Sequence, residues 1–156
     1  MKLDIRIAIS ADLPTLNDLY AQMDGESELP PETVETLFGQ IRDIPDYRIY
    51  IAESEGEAVG TFSLLIAPTF MHRGFHKFAV LDAVTVTPDF RGRGIGREMM
   101  KEAIALAAAA GCYKVTLSSN VKRDRAHAFY RSLGFEQHGW SFSLKTVPEQ
   151  PDLTVT

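Results

Sequence analysis

Residues 80–97, Val80-Leu81-Asp82-Ala83-Val84-Thr85-Val86-Thr87-Pro88-Asp89-Phe90-Arg91-Gly92-Arg93-Gly94-Ile95-Gly96-Arg97, constrain this chain more than any other stretch. An apolar run ends at Pro88, the chain turns, and three glycines at alternate positions lead into a helix-forming segment. Glycines let a backbone curl until several N–H groups converge, and no side chain stands between them and a ligand. The start of a helix adds unpaired N–H donors and the positive end of its dipole. A strand, a loop and a helix in this order belong to an α/β architecture, and the loop suits phosphate or pyrophosphate. Arg91 and Arg93 interleave with the glycines, either as charge-assisted donors to that anion or as solvated surface.

Spacing narrows the ligand. A nucleotide triphosphatase loop requires Gly-x-x-x-x-Gly-Lys-Ser/Thr, and no Lys-Ser or Lys-Thr follows here. A dinucleotide fingerprint, Gly-x-Gly-x-x-Gly, fails as well. Counting from Gly92 puts Arg97 at the third glycine position, and counting from Gly94 puts Met99 there. What fits is Arg-x-x-Gly-x-Gly, as Arg91, Gly94 and Gly96. Downstream lie Gly111-Cys112-Tyr113-Lys114-Val115 and then Arg123-Asp124-Arg125-Ala126-His127-Ala128-Phe129-Tyr130-Arg131-Ser132-Leu133-Gly134-Phe135. Together, residues 78–135 resemble the GNAT superfamily of N-acetyltransferases, in its small single-domain members. Residues 1–67 match that family only in their order of elements.

Composition sets bounds on this reading. A chain of 156 residues is expected to form one domain with a sizeable core. Its single cysteine precludes an internal disulfide and suits a reducing compartment. Residues 1–6 alternate charge with apolar side chains and hold no apolar signal core. The small-residue run 103–110 is far shorter than the roughly 20 residues a membrane span needs. The expected location is therefore the cytoplasm, with no membrane partner. A net charge of −5 argues against a nucleic-acid partner and is compatible with a cationic amine substrate.

Periodicity orders the elements. Ile5, Ile7 and Ile9 alternate in a strand over 4–9, and Ser10 suits the N-cap of a helix over 11–23. A second helix is expected over 32–42 and strands over 47–53, 58–66 and 78–86. The long helix 94–110 should stop at Gly111. A strand over 113–119, a helix over 125–133 and a final strand over 140–146 complete the order β-α-α-β-β-β-α-β-α-β. Residues 148–156 show no pattern and read as a loose tail or one that pairs with a partner subunit. The fold class is a mixed α/β sheet flanked by helices, and the resemblance implies a mostly antiparallel sheet of the GNAT type.

The resemblance also implies roles. Acetyl-coenzyme A would lie along the central strand, with backbone groups of Val84, Thr85 and Val86 holding the pantetheine and polarising the thioester. Arg91, Gly92, Arg93, Gly94, Ile95, Gly96 and Arg97 would hold the pyrophosphate, and Arg123, Ala126, Phe129 and Tyr130 would complete the coenzyme site. Tyr130 would give a proton or hydrogen bond to the departing thiolate. Asp82, by alternation on one face with Phe78, Val80, Val84 and Val86, is an acid in a strand. It either prepares the amine, directly or through water, or is a structural carboxylate paired with an arginine or a backbone amide.

His127 reads as helix surface and Cys112 as core packing. His72, Arg73, His76, Asp24, Glu26 and Glu28 border the acceptor site in the resembled family, and their spacing matches no metal pattern. The function implied is direct acetyl transfer from acetyl-coenzyme A to a primary amine of a small metabolite, without metal; a homodimer is expected as the common default of small soluble enzymes. The rivals are transfer to a protein or peptide amine, and a coenzyme A-binding sensor that transfers nothing.

Overall fold

The computed structural model describes residues 2–71 and 73–147. Contacts group the chain into two compact units, one running to Thr116 and one starting at Leu117. In the first, β1 (Asp4–Ile7), β2 (Tyr47–Ser54), β3 (Glu57–Pro68), β4 (Lys77–Val86) and β5 (Val115–Thr116) form one sheet in that order. The first three pairings are antiparallel and the last is parallel. This is the mixed, mostly antiparallel sheet expected. Helices α1 (Leu13–Asp24) and α2 (Pro31–Arg42) precede β2, and α3 (Ile95–Ala109) separates β4 from β5.

The core forms where helical and strand periodicities meet. Leu13, Leu16 and Leu19 recur at helical spacing on α1 and are buried, as are Ile95, Met99, Met100, Ala103 and Ala107 on α3. Both helices pack on β3 and β4, where Val59, Phe62, Leu64, Ala79 and Leu81 are buried. One glycine is required by this packing. A Cβ added at Gly60 would lie 2.7 Å from Met99 Sδ and 2.7 Å from the Thr85 carbonyl oxygen. Only a residue without a side chain lets β3, β4 and α3 approach this closely.

Two local expectations are corrected. Ser10 does not cap α1: it lies in a short 3-10 turn, Ser10–Asp12, and Asp12 takes the N-cap position. The Asp12 carboxylate accepts the Ile9 N–H at 2.8 Å and both terminal nitrogens of Arg6 at 2.7 and 2.8 Å. Arg6 Nε also donates to Glu53 at 2.8 Å, so one guanidinium ties β1 to β2 and to the entry of α1. Asp12 makes no side-chain capping bond to α1; its carboxylate is taken by Arg6 and by the Ile9 N–H, which fix the 3-10 turn ahead of the helix. At the other end of α3 the stop is as expected. The Gly111 N–H donates to Ala108 O and the Cys112 N–H to Ala107 O, both at 3.0 Å, a Schellman closure.

The second unit contains α4 (Asp124–Ser132), close to the helix expected there. The strand expected over 140–146 is absent: none of these residues joins a sheet, and Trp140, Phe142 and Leu144 are exposed. A period-two apolar pattern specifies a strand only when a neighbouring strand supplies hydrogen bonds and a covering layer. The expected strand over 113–119 is likewise reduced to Val115–Thr116, which pair with Ala79 and Val80. Residues 148–156, expected as a tail, lie outside the described residues.

Candidate active site

β4 carries the site's first element. Between the pairs Ser63–Asp82 and Thr61–Thr85 the register shifts, so Ala83 and Val84 together oppose Phe62. This is a β-bulge. Ala83 sits at φ 50°, in the left-handed region that a residue with a Cβ enters at a cost of roughly 1–2 kcal/mol. The Ala83 N–H donates to Asp82 Oδ1 at 2.8 Å, and the Ser63 hydroxyl donates to the Asp82 carbonyl at 3.2 Å.

The bulge corrects the expected placement of Asp82. The extra residue inverts the alternation, so Asp82 shares its face with Thr85, and Val84 and Val86 turn to the other. Asp82 is exposed rather than buried, with one carboxylate oxygen holding the bulge and the residue open to solvent. The backbone-amide partner is one of the alternatives the sequence leaves open. Exposure leaves the carboxylate able to meet an amine or a water as well.

The far edge of β4 is open over its second half. Among the described residues β5 pairs only with Ala79 and Val80. The Thr87 N–H donates to Val59 O on the β3 side at 2.9 Å, so by alternation the backbone groups of Val86 and Val84 face away from β3, whereas those of Thr85, expected beside them in the coenzyme site, face β3. Arg91 Nε donating to Val86 O at 3.0 Å agrees with that direction.

After the turn Pro88–Phe90 the chain reaches the glycine loop. Gly92 and Gly94 adopt φ 77° and 82°, and Gly94 is the N-cap of α3. No side chain caps this helix start. A Cβ on Gly92 or Gly94 would meet nothing within 4 Å, so the space over the loop is open to a ligand. Ile95 is buried and anchors the first turn. Gly96 and Arg97 follow in that turn. Arg91 is held by Val86 O, and the Arg93 guanidinium lies 4.9 Å from the centre of the Phe90 ring. Both arginines are exposed beside the loop, with charge to spare for an anion.

Within the second unit, Arg123 is exposed and Ala126, Phe129 and Tyr130 are partly buried on α4. The Tyr130 ring is flanked by Phe129 and Phe135 at 5.7 and 6.0 Å. Burial pushes the Tyr130 phenol above its ordinary value, while Arg123 pulls the other way. The phenol is therefore neutral at neutral pH and able to donate. His127 Nε2 lies 2.8 Å from Asn120 O, a backbone contact in keeping with a structural histidine. Burial raises the Cys112 thiol, which opposes its use as a nucleophile.

The loops expected to border the acceptor differ in order. Asn17 brackets Leu29, its amide nitrogen donating to Leu29 O at 2.8 Å and its oxygen accepting the Leu29 N–H at 2.9 Å, which fixes the loop bearing Glu26 and Glu28. Arg73 and His76 lie on the β3–β4 loop; Phe75 of that loop stacks on Tyr113 at 4.8 Å, and His72 lies outside the described residues. No group of three or more potential metal ligands occurs among the described residues. No helix among them is long and apolar enough to cross a membrane.

No site role for Tyr20 of α1 follows from the sequence. Burial pushes its phenol up to about 12, the Thr61 hydroxyl works against that shift, and charge on Tyr47 and Asp82 adds to it. Its helical spacing with Leu13 and Leu16 masked this proximity to Asp82.

Comparison with known proteins agrees with this geometry. The model of the acetyltransferase (GNAT) family matches residues 13–135. The chain is 30% identical over 145 residues to a glucosamine 6-phosphate N-acetyltransferase of Trypanosoma brucei brucei, covering 87% of this chain and 90% of that one. It is 31% identical over 99 residues to an aminoalkylphosphonate N-acetyltransferase of Salmonella typhimurium, covering 64% and 63%. The crystal structure of glucosamine-6-phosphate N-acetyltransferase from Arabidopsis thaliana superposes with a TM-score of 0.80 at 24% identity, over 94% of this chain and 100% of that one, a likeness of fold.

Proposed function

We propose that this chain, which belongs to the acetyltransferase (GNAT) family, transfers the acetyl group of acetyl-coenzyme A directly to the primary amine of a small metabolite. One observation carries the reading. A single continuous segment of the first unit joins the bulged, open edge of β4 to an uncapped helix start with two left-handed glycines. The helix start supplies N–H donors and dipole for the pyrophosphate, with Arg91 and Arg93 beside it. The Val84 and Val86 backbone groups that face the open edge supply donors and acceptors for the pantetheine amides and the thioester carbonyl.

In this reading the amine lone pair attacks the thioester carbonyl, a C–N bond forms and the C–S bond breaks. Asp82, or a water it orients, takes the proton that the attacking nitrogen must lose. Tyr130 hydrogen-bonds or protonates the departing thiolate, for which a neutral phenol is the correct form. The residues carried in the coenzyme site are Arg91, Gly92, Arg93, Gly94, Ile95, Gly96 and Arg97, with Arg123, Ala126, Phe129 and Tyr130.

The two named relatives act on glucosamine 6-phosphate and on aminoalkylphosphonates, both small amines bearing an anionic phosphorus group. Aminosugar phosphates and aminoalkylphosphonates therefore head the acceptor screen. The test is thiol release from acetyl-coenzyme A in the presence of these compounds, other aminosugars, polyamines, amino acids and peptides. Release with a small amine is the expected result. Release with peptides alone would transfer the reading to a protein acceptor. Coenzyme A binding without release by any amine would make the chain a sensor.

A further inference from the structure

Within the acetyl-transfer reading, on which this rests, we infer that Tyr20 of α1 holds the acceptor amine together with Asp82. The phenol oxygen accepts one N–H and the carboxylate accepts the other, so the site selects primary amines. The seat of Tyr20 is set by α1. It follows Leu13 and Leu16 at helical spacing and packs on the cluster that they form with Ile49 and Ile51 of β2. Ile51 is paired with Thr61 of β3, and Thr61 with Thr85 of β4. Directly opposed residues share a face, so Thr61 points toward α1, where its hydroxyl is hydrogen-bonded to the Tyr20 phenol. On the same face Ser63, two residues along β3, opposes Asp82. Thr61 and Asp82 are therefore diagonal neighbours, ~7–8 Å apart, and the Asp82 charge bears on the Tyr20 phenol. All of these groups belong to the first unit.

The hydrogen bonds on this face run in one direction. Thr61 Oγ1 donates to the Tyr50 carbonyl at 2.7 Å, and a carbonyl can only accept. A hydroxyl has one hydrogen, so toward Tyr20 the Thr61 oxygen accepts and the phenol donates. Thr61 is fully buried, which shields this order from water. The phenol keeps its hydrogen, since burial pushes it up to about 12. What the phenol oxygen offers beyond Thr61 is therefore a lone pair. Ser63 likewise commits its hydrogen to the Asp82 carbonyl at 3.2 Å, and an ionised Asp82 carboxylate accepts only.

Two acceptors side by side recognise a group with two hydrogens to give. A neutral primary amine has two N–H bonds and one lone pair. With one N–H on Asp82 and the other on Tyr20, the tetrahedral nitrogen turns its lone pair away from both, free to attack the thioester carbonyl. A nitrogen ~2.9 Å from each oxygen bridges a gap of up to ~6 Å, which suits side chains at the diagonal spacing. As the C–N bond forms the nitrogen becomes positive and both hydrogen bonds strengthen. The C–S bond then breaks, the proton on the Asp82 side leaves, and the hydrogen on the Tyr20 side remains as the N–H of the product amide. A secondary amine has a single N–H, so it leaves the carboxylate or the phenol unpaired.

The test compares a primary amine with its N-methyl derivative in the wild type and in Tyr20→Phe. Glucosamine 6-phosphate and its N-methyl derivative are the first pair; if another primary amine releases thiol faster, that amine and its N-methyl derivative are used. Tyr20→Phe keeps the ring in its seat and removes only the hydroxyl. For the primary amine kcat/KM should fall about 10-fold, the loss of one hydrogen bond. For the N-methyl amine kcat/KM (or its inhibition constant, where it does not turn over) should be unchanged, as should KM for acetyl-coenzyme A. A merely structural role would affect both amines alike. Thr61→Val should reproduce the selective loss, because the phenol hydrogen is then free to turn outward, and Thr61→Ser, which keeps the hydroxyl, should behave as wild type. Equal falls for both amines, or no fall in an active Tyr20→Phe protein, would overturn the inference and leave acetyl transfer standing. If Tyr20→Phe does not fold, a Thr61→Val protein that keeps the wild-type preference for the primary amine would overturn it. Absence of thiol release from the wild type with every amine would overturn the acetyl-transfer reading, and this role of Tyr20 with it.

Discussion

Replacing the two glycines at the start of α3 separates what the fold needs from what a ligand needs. Gly94 is at φ 82° with open space where a Cβ would go. Gly94→Ala therefore costs only the left-handed penalty, ~1–2 kcal/mol, with no clash. Gly96 lies inside the first turn of α3, where glycine is ~0.8–1 kcal/mol worse than a good helix former. By helix propensity alone, Gly96→Leu should leave the free protein about as stable or slightly more so, and urea denaturation of both variants checks these opposite signs. Coenzyme A affinity should fall in both. A side chain at either position obstructs the approach to the N–H donors, and a lost or unsatisfied hydrogen bond costs ~1–3 kcal/mol, roughly 5- to 150-fold in affinity. Calorimetric titration of each folded variant with coenzyme A measures it. Wild-type affinity in Gly96→Leu, with its stability intact, would place the pyrophosphate elsewhere and refute the reasoning.

Three further outcomes are expected. Asp82→Asn keeps an acceptor for the Ala83 N–H and so the bulge; turnover should fall by about 10²-fold and the acidic limb of the pH–rate profile should move, with melting unchanged, whereas early melting with full turnover would make the carboxylate structural. Gly60→Ala should lower stability by ~1–3 kcal/mol in differential scanning calorimetry, because one of the two atoms at 2.7 Å is a backbone oxygen that cannot swing aside; an unchanged midpoint would refute this. Asp12 is held below the ordinary carboxylate range chiefly by Arg6. Its contribution is present above the unfolded carboxylate value of about 4 and is lost as pH falls through the lower folded value. Arg6 is 40% exposed, so this amounts to no more than ~1 kcal/mol, and Asp12→Asn should remove it at neutral pH while leaving stability near pH 2 unaltered.

The glycine loop was legible because its chemistry is local: Arg91, Gly92, Gly94 and Gly96 specify a turn and a helix start without help from the rest of the chain. The order of elements through α4 was legible from local periodicity, whereas the mostly antiparallel pairing of the sheet came from the family resemblance, since strand pairing is not a local property. The bulge was not. Residues 78–86 read as an unbroken strand, and nothing in Ala83 announces a left-handed residue, since alanine is not a type that favours one. That one extra residue turned Val84 and Val86 away from the face of Asp82, and it is set by pairing with β3, a non-local event. The start of α1 moved from Ser10 to Asp12 for a similar reason, because Arg6, itself held by Glu53 across the sheet, fixes Asp12 in the turn before the helix. Residues 140–146 show the converse: the pattern of a strand is plain, but a strand is a property of a pair, and no partner strand lies among the described residues. The proximity of Tyr20 to Asp82 required the sheet and α1 to be assembled first.

Direct transfer to a small amine is tested most sharply by a balance of products. Incubating the protein with acetyl-coenzyme A and an aminosugar phosphate or aminoalkylphosphonate should yield one N-acetylated amine for each thiol released. Without amine, the intact mass of the protein should stay unchanged, and Tyr130→Phe should slow the balanced reaction by about 10²-fold without altering the Michaelis constant for acetyl-coenzyme A. An acetylated protein formed from acetyl-coenzyme A alone that passes its acetyl group to added amine, or thiol release without acetylated amine, would contradict the account.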